Sequence, residues 1–278
     1  MAFCRAWVTV AVVFGSITIV AGSAMAQKRY GPGASDTEIK IGNIAPYSGP
    51  VSAASVNGKT IAAYFNKVNA EGGINGRKIH FISYDDAYSP PKTVEQARRL
   101  IESDEVLLIF YSVGTPTNSA IQKYMNARKV PQLFVASGAV KWNDPKNFPW
   151  TMGWAPSYQG EGQIYAQYLL RNHPEGRIAI LYQNDDFGKD YLKGLTDGLA
   201  GKIPIVAEAP YETADPSPDS QIVSLQASGA DVFLTSPPPN SPPRRSRRWL
   251  EIGWTPLHRE QRIALDRGGP PTRWVSKC

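Results

Sequence analysis

Between Glu38 and Leu234 the chain alternates short apolar runs with helical patterns, and this alternation narrows the fold more than any other feature. Residues 38–45, 78–84, 106–111 and 132–136 read as strands. Helical stretches over 60–70, 93–103 and 117–128 separate them. In the first of these helices Ile61, Tyr64, Phe65 and Val68 fall on one face, and Gly72-Gly73 stops it. Asn75-Gly76 then marks a turn. Val94, Ala97, Leu100 and Ile101 form the inward side of the second helix. The run 106–111 is apolar throughout, as expected of a parallel strand covered on both faces. The rhythm restarts after Trp150, with helices over 162–171, 189–200 and 220–228 and strands over 177–182, 204–209 and 231–234. Two successive β-α-β series predict an α/β protein with two doubly wound, Rossmann-like lobes. The segment 147–158, with Pro149, Pro156, Trp150 and Trp154, is the natural crossing between them.

The beginning of the chain has a different character. Arg5 precedes an apolar stretch over residues 6–21, and Ala24-Met25-Ala26 supplies small residues where a signal peptidase reads. This predicts a cleavable export signal over 1–26 and a mature start near Gln27. An anchoring transmembrane helix is the alternative, for which the run is short. Cys4 lies ahead of the apolar stretch and does not fit a lipid-attachment site. Cleavage leaves Cys278, so neither an internal disulfide nor a cysteine zinc site is expected. The net charge of +6 comes from the far end: residues 236–278 hold nine basic and three acidic groups, and the remainder is balanced. Such a tail suits an anionic partner, but an exported protein rarely meets nucleic acid, and none is expected here.

In open parallel sheets ligands sit beyond the carboxyl ends of the strands, which directs attention to the loops 46–54, 85–91, 112–118, 137–142 and 184–188. Two of these have the residues of a carboxylate receptor. Ser112 to Thr117 and Ser137 to Ala139 combine short hydroxyls with glycine-freed N–H groups, and the first opens onto a helix N-terminus. Ordinary helix capping by Ser and Thr accounts for the same residues. Asp85-Asp86 and Asp185-Asp186 stand at strand ends, but neighbours in an extended chain point opposite ways, so neither doublet is a ready acid–base pair. His80, His173 and His258 lack the spacing of a metal pair. No phosphate loop and no Gly-x-Ser-x-Gly elbow occur. No catalytic residue, metal or cofactor is expected, and the chain reads as a non-enzyme.

Several stretches resemble the periplasmic leucine/isoleucine/valine-binding proteins of ABC importers. They are Ile39-Lys40-Ile41-Gly42, Ala45-Pro46-Tyr47-Ser48-Gly49-Pro50 and above all Asn69-Ala70-Glu71-Gly72-Gly73-Ile74-Asn75-Gly76-Arg77. Tyr182 to Tyr191 and Ser228 to Phe233 resemble that family's second lobe. The resemblance runs from about Thr37 to Leu234. It implies a type I periplasmic-binding fold whose two lobes close on an amino-acid-like ligand, in a monomer that delivers it to permease subunits in the inner membrane. By position it implies that Ser112, Gly114 and Thr115 face the ligand from one loop, and that Ser137, Gly138 and Ala139 hold its carboxylate and amino groups from another. Tyr47 and Ser48 would line the side-chain end, and Phe187 would approach from the second lobe. Phe187 stands where the family often has tyrosine and Val140 where threonine is common, so the ligand is left open among branched-chain amino acids, amides and aromatic acids. A periplasmic sensing domain is the alternative role for the same fold.

From Ser236 the resemblance breaks. Five prolines within residues 237–243 forbid the helix that should follow. Leu250 to His258 again look like the family, and another Arg/Pro/Gly-rich stretch follows. The expected organisation is therefore a signal over 1–26, a first lobe over 27–150, an incomplete second lobe over 151–235 and an atypical tail over 236–278. Out-of-frame translation of the two odd segments is the favoured explanation, and a disordered basic tail the rival. Because the family's later second-lobe contacts, an aromatic and an acidic group, fall in or beyond these segments, weak or no ligand binding is expected of the chain as written.

Overall fold

A computed structural model describes residues 30–215, 217–235 and 252–260. The export signal expected over 1–26 and most of the 236–278 tail lie outside the described residues. The first half is built from β1 (Glu38–Ala45), α1 (Ser55–Ala70), β2 (Lys78–Asp85), α2 (Pro90–Arg98), β3 (Leu108–Phe110), α3 (Thr115–Arg128), β4 (Gln132–Val135) and β5 (Thr151–Gly153). The second continues with α4 (Tyr158–Asn172), β6 (Ile178–Gln183), α5 (Asp186–Leu199), β7 (Ile205–Tyr211), α6 (Asp219–Ala227), β8 (Val232–Thr235) and β9 (Leu257–Glu260). The strands form two sheets, ordered β2-β1-β3-β4-β5 and β7-β6-β8-β9, and every pairing is parallel. Parallel neighbours need long crossovers, which the helices supply.

Period-2 alternation sets the second sheet's two faces. Ile178, Ile180, Val232 and Leu234 pack with Leu169, Tyr191, Leu195 and Leu199 of α4 and α5. The intervening Ala179, Leu181 and Phe233 face the other way, onto Ile222 and Leu225 of α6. In the first sheet Ile44 and Ile109 pack with Ala97, Leu100, Ile121 and Met125. The two halves share a core: Val135, Ala139 and Trp142 of the first belong to the same apolar cluster as Leu195 and Leu234 of the second.

Four local features depart from the sequence reading. Helix α1 starts at Ser55, ahead of the expected residue 60, and presses its small residues against β1. Gly58 lies so near that a Cβ would come within 2.1 Å of the Tyr47 hydroxyl. With that end held close, Phe65 reaches the rings of Phe81 and Phe110 at 5.4 and 5.9 Å, while Tyr64, expected inward, is 61% exposed. β3 is shorter than the apolar run 106–111 because Glu105 and Tyr111 take left-handed conformations, φ 52° and 54°, on either side of it. β5 forms inside the segment read as a crossing and pairs with β4. Beyond the described Thr235, β9 adds to the second sheet with Val232 opposite Leu257, in the stretch assigned to the tail. Trp254 leads into it, stacked on Phe233 at 4.8 Å with its indole N–H donating to the Ala230 carbonyl at 3.0 Å.

Candidate functional site

A cavity of about 610 Å³ lies between the two halves, at the carboxyl ends of β3, β4 and β6. Its first-half wall comprises Ala54 and Asn57 at the start of α1, Tyr88, Tyr111, the turn Val113-Gly114-Thr115, and Ala136-Ser137 after β4. The opposite wall is Trp154 to Tyr158, then Gly160, Glu161 and Ile164 of α4, and Phe187 of α5. Trp154 and Ile164 of that wall are 67% and 71% exposed.

The polar centre is a cluster of hydroxyls. Thr115 Oγ1 and Ser137 Oγ are 2.7 Å apart, and the Trp142 indole N–H donates to Ser137 Oγ at 2.8 Å. The Tyr158 phenol lies beside this cluster, near Ser137, Thr115 and the Gly138 backbone, and its own backbone N–H donates to the Gly138 carbonyl at 2.8 Å. Burial raises the phenol pKa above its ordinary value, those polar neighbours pull it partly back, and the Glu161 charge adds to the rise. The Tyr158 ring meets that of Phe187 edge-on at 4.7 Å. The lining therefore couples both halves through aromatic contact as well as hydrogen bonds.

Tyr88 closes the floor. It follows Ala87 in a second consecutive left-handed conformation, φ 61° after φ 50°, which is rare for residues with side chains. Asp86 holds this turn, accepting from Tyr88 N at 2.9 Å and from Thr93 Oγ1 at 2.8 Å. Burial lifts the Asp86 carboxyl above the usual range despite both bonds. The Tyr88 phenol is raised much further, by burial first and then by the nearby Asp185 carboxylate, and Gln183 of the second half lies close to it and acts in the opposite direction. Asp185 caps α5, accepting from Phe187 N at 2.9 Å and Gly188 N at 3.4 Å. Its neighbour Asp186 pairs instead with Lys141 at 2.8 Å. The Asp doublets thus send their carboxylates to different partners.

Of the sequence-derived positions, Gly114, Thr115, Ser137 and Phe187 line the cavity. Ser112 is buried behind the loop, where its hydroxyl bonds Asn118 and the Asn118 amide donates to the Ser112 and Gly114 carbonyls. Gly138 faces Pro156 and Tyr158: a Cβ on it would meet the Pro156 carbonyl oxygen at 2.3 Å and the Tyr158 ring at 2.9 Å. Ala139 is buried in the shared core. The Tyr47 hydroxyl bonds Ser83 at 2.5 Å, and Ser48 bonds Asp85, so both are engaged at the edge of the first sheet. Sequence reasoning missed Tyr88, Tyr111, Trp154, Tyr158 and Glu161. Tyr88 lay in a loop already marked by its place after a strand; nothing local distinguished the others.

Residues 38–256 match the sequence profile of the periplasmic binding proteins. The chain belongs to that family. It is 27% identical over 186 residues to the leucine-specific-binding protein of Salmonella typhimurium, covering 66% of this chain and 48% of the relative. A substrate-binding periplasmic protein from Ralstonia solanacearum superposes with a TM-score of 0.71 at 23% identity, over 80% of this chain and 63% of the other. A fatty acid ABC transporter substrate-binding protein from Thermomonospora curvata gives a TM-score of 0.73 at 22% identity, over 84% of this chain and 59% of the other. The fold is the type I periplasmic-binding fold, of which this chain covers a part. It spans about half the length of the curated relative and under two thirds of both structures. A family profile of this kind supports a solute-binding role, and the cleft between the halves is where the geometry offers a site.

Proposed function

We propose that the protein captures a small amino-acid-like solute or carboxylate in the cleft and releases it to the permease subunits of an ABC importer. One observation carries this reading: the Thr115 and Ser137 hydroxyls, 2.7 Å apart, border a cavity walled by both halves. A wall drawn from two lobes suits reversible capture, because closure around a ligand adds contacts from each side. The leucine-specific relative supports an amino-acid ligand, and the fatty-acid transporter neighbour indicates how widely solutes vary on this fold. The protein acts as a receptor without catalysis, as a monomer, in the periplasm. Its apolar leader is removed ahead of Gln27. A thermal-shift screen of amino acids, amides and aromatic acids, followed by calorimetry on any hit, tests the binding. Because the cavity is walled by residues of both halves, saturable stabilisation by one class is expected, contrary to the weak binding read from the composition of the tail, and no shift with any class would overturn the reading. N-terminal sequencing of the exported protein tests the leader, with Gln27 expected and a retained Met1 contrary.

A further inference from the structure

A series of side-chain hydrogen bonds runs from the segment between the halves to the back of the cavity turn. It begins where the Trp150 backbone N–H donates to Asn126 Oδ1 at 2.9 Å. The Asn126 amide donates to Thr151 Oγ1 at 2.8 Å, and that hydroxyl donates to Gln132 Oε1 at 3.3 Å. Gln132 Nε2 then donates to Asn118 Oδ1 at 2.8 Å. The Asn118 amide ends the series on the Ser112 and Gly114 carbonyls, at 2.9 and 2.6 Å. Every link points the same way, so reversing any one amide would bring like groups together. Asn118 and Gln132 are fully buried and Thr151 nearly so. In such surroundings a broken link is costly, and a complete series strengthens each of its bonds. Both ends bear on the cleft. Gly114 and Thr115 line one wall, and Trp154, four residues after Trp150, opens the other. Between them the backbone gives limited support: β5 has three residues, and its register against β4 shifts between Gln132 and Val135. The series crosses from β4 to β5 at that irregularity, because Gln132 and Thr151 are register partners.

We propose that Asn118, Gln132 and Thr151 are positioning residues that tie the Gly114 turn to the crossing segment, so that one buried series of hydrogen bonds sets the spacing of the two cleft walls. Its value to capture rests on the cleft being the solute site. None of the three is among the described lining residues. Each acts on a solute through the backbone it holds, and a disturbance at the crossing segment therefore reaches the turn that carries Thr115.

Amide hydrogen exchange, read residue by residue on the full chain, tests this without a solute. The Gly114 N–H, bonded to the Ala136 carbonyl at 3.3 Å, reports the turn. Ile180, fully buried in the second sheet, is the internal reference. Thr151→Val keeps the shape of the side chain and removes the hydroxyl. It should speed exchange at Gly114 roughly tenfold relative to Ile180, the scale of one internal hydrogen bond. Thr151→Ser keeps the hydroxyl and should restore the parent ratio. Asn126→Ala, at the half-buried end of the series, should act at Gly114 in the same direction, and it replaces the Val variant if that protein does not fold. A general loss of stability gives a different pattern: Ile222→Val, in α6, should leave the ratio of Gly114 to Ile180 unchanged. An unchanged ratio in whichever of the Val and Ala variants folds would overturn the proposal. So would a Ser variant as fast as the Val variant, or an Ile222→Val protein that speeds Gly114 equally. Each of these results leaves solute capture standing, to be decided by the thermal-shift screen.

Discussion

The ring of Tyr88 lies against Gly114 so closely that a Cβ on the glycine would come within 2.4 Å of the ring's Cε2. Gly114 also has φ 105° and ψ 152°, a conformation that residues with side chains rarely adopt. Two independent demands thus fall on one residue. Replacing Gly114 with Ala should destabilise the protein by about 1–3 kcal/mol and move Tyr88 into the cavity. Adding Tyr88→Ala should recover the part due to the clash and leave the part due to the backbone. Urea unfolding of the single and double variants checks this, and strict additivity would contradict it.

Thr115 and Ser137 are bonded to each other but are not equivalent. Ser137 Oγ also accepts the Trp142 indole N–H, so Ser137→Ala leaves a buried donor without that acceptor, at about 1–3 kcal/mol of stability. Thr115→Ala makes no such demand and should cost less. Both should weaken solute binding roughly tenfold if they hold a charged group of the ligand. Melting curves and calorimetry separate the two effects: unchanged affinity in both variants would place the ligand elsewhere.

Trp254 ties the segment 252–260 to the second sheet through Phe233 and Ala230. Trp254→Ala should cost about 3–5 kcal/mol, the usual consequence of emptying a large aromatic site. Trp254→Phe should keep most of the packing and forgo mainly the hydrogen bond, about 1 kcal/mol. Denaturant midpoints near that of the parent protein for the Ala variant would mean the segment does not contribute to the folded sheet.

The adjacent carboxyls Asp85 and Asp86 should respond oppositely to pH. Burial opposes ionisation of Asp85, but the Ser48 hydroxyl and the N–H groups of Ala87, Ser48 and Tyr47 outweigh it, and its pKa is lowered. A lowered folded pKa gives stability that is present above the ordinary carboxylate value and lost as pH falls through the folded one. At Asp86 burial dominates and the pKa is raised, so its contribution is largest in acid and declines as pH rises through the raised value. Unfolding measured from about pH 6 to about pH 3 should show a flatter acid limb for Asp85→Asn than for the parent. Identical slopes would mean Asp85 gains nothing from its hydrogen bonds.

Sequence alone determined the layering, because a buried face leaves a local imprint. Alternation over Ile178 to Leu181 assigns those residues to opposite sides of a sheet, and the structure packs them onto different helices as expected. The turn after α1 was equally legible: Gly72, Gly73 and Gly76 all have positive φ, which their type announces. The resemblance also led to Thr115 and Ser137, which the fold brings together across the β4 connection. The glycines of the same loops were recognised but with a different partner in view, since Gly114 and Gly138 make room for Tyr88 and Tyr158. Only tertiary structure decided the aromatic wall, the placement of Glu161 and the addition of β9 to the second sheet. Tyr88 and Gln183 meet although nearly a hundred residues separate them in the chain. Local periodicity records which side of an element avoids water. It carries no record of which distant element arrives to share a cavity, and that is fixed by how the two halves pack.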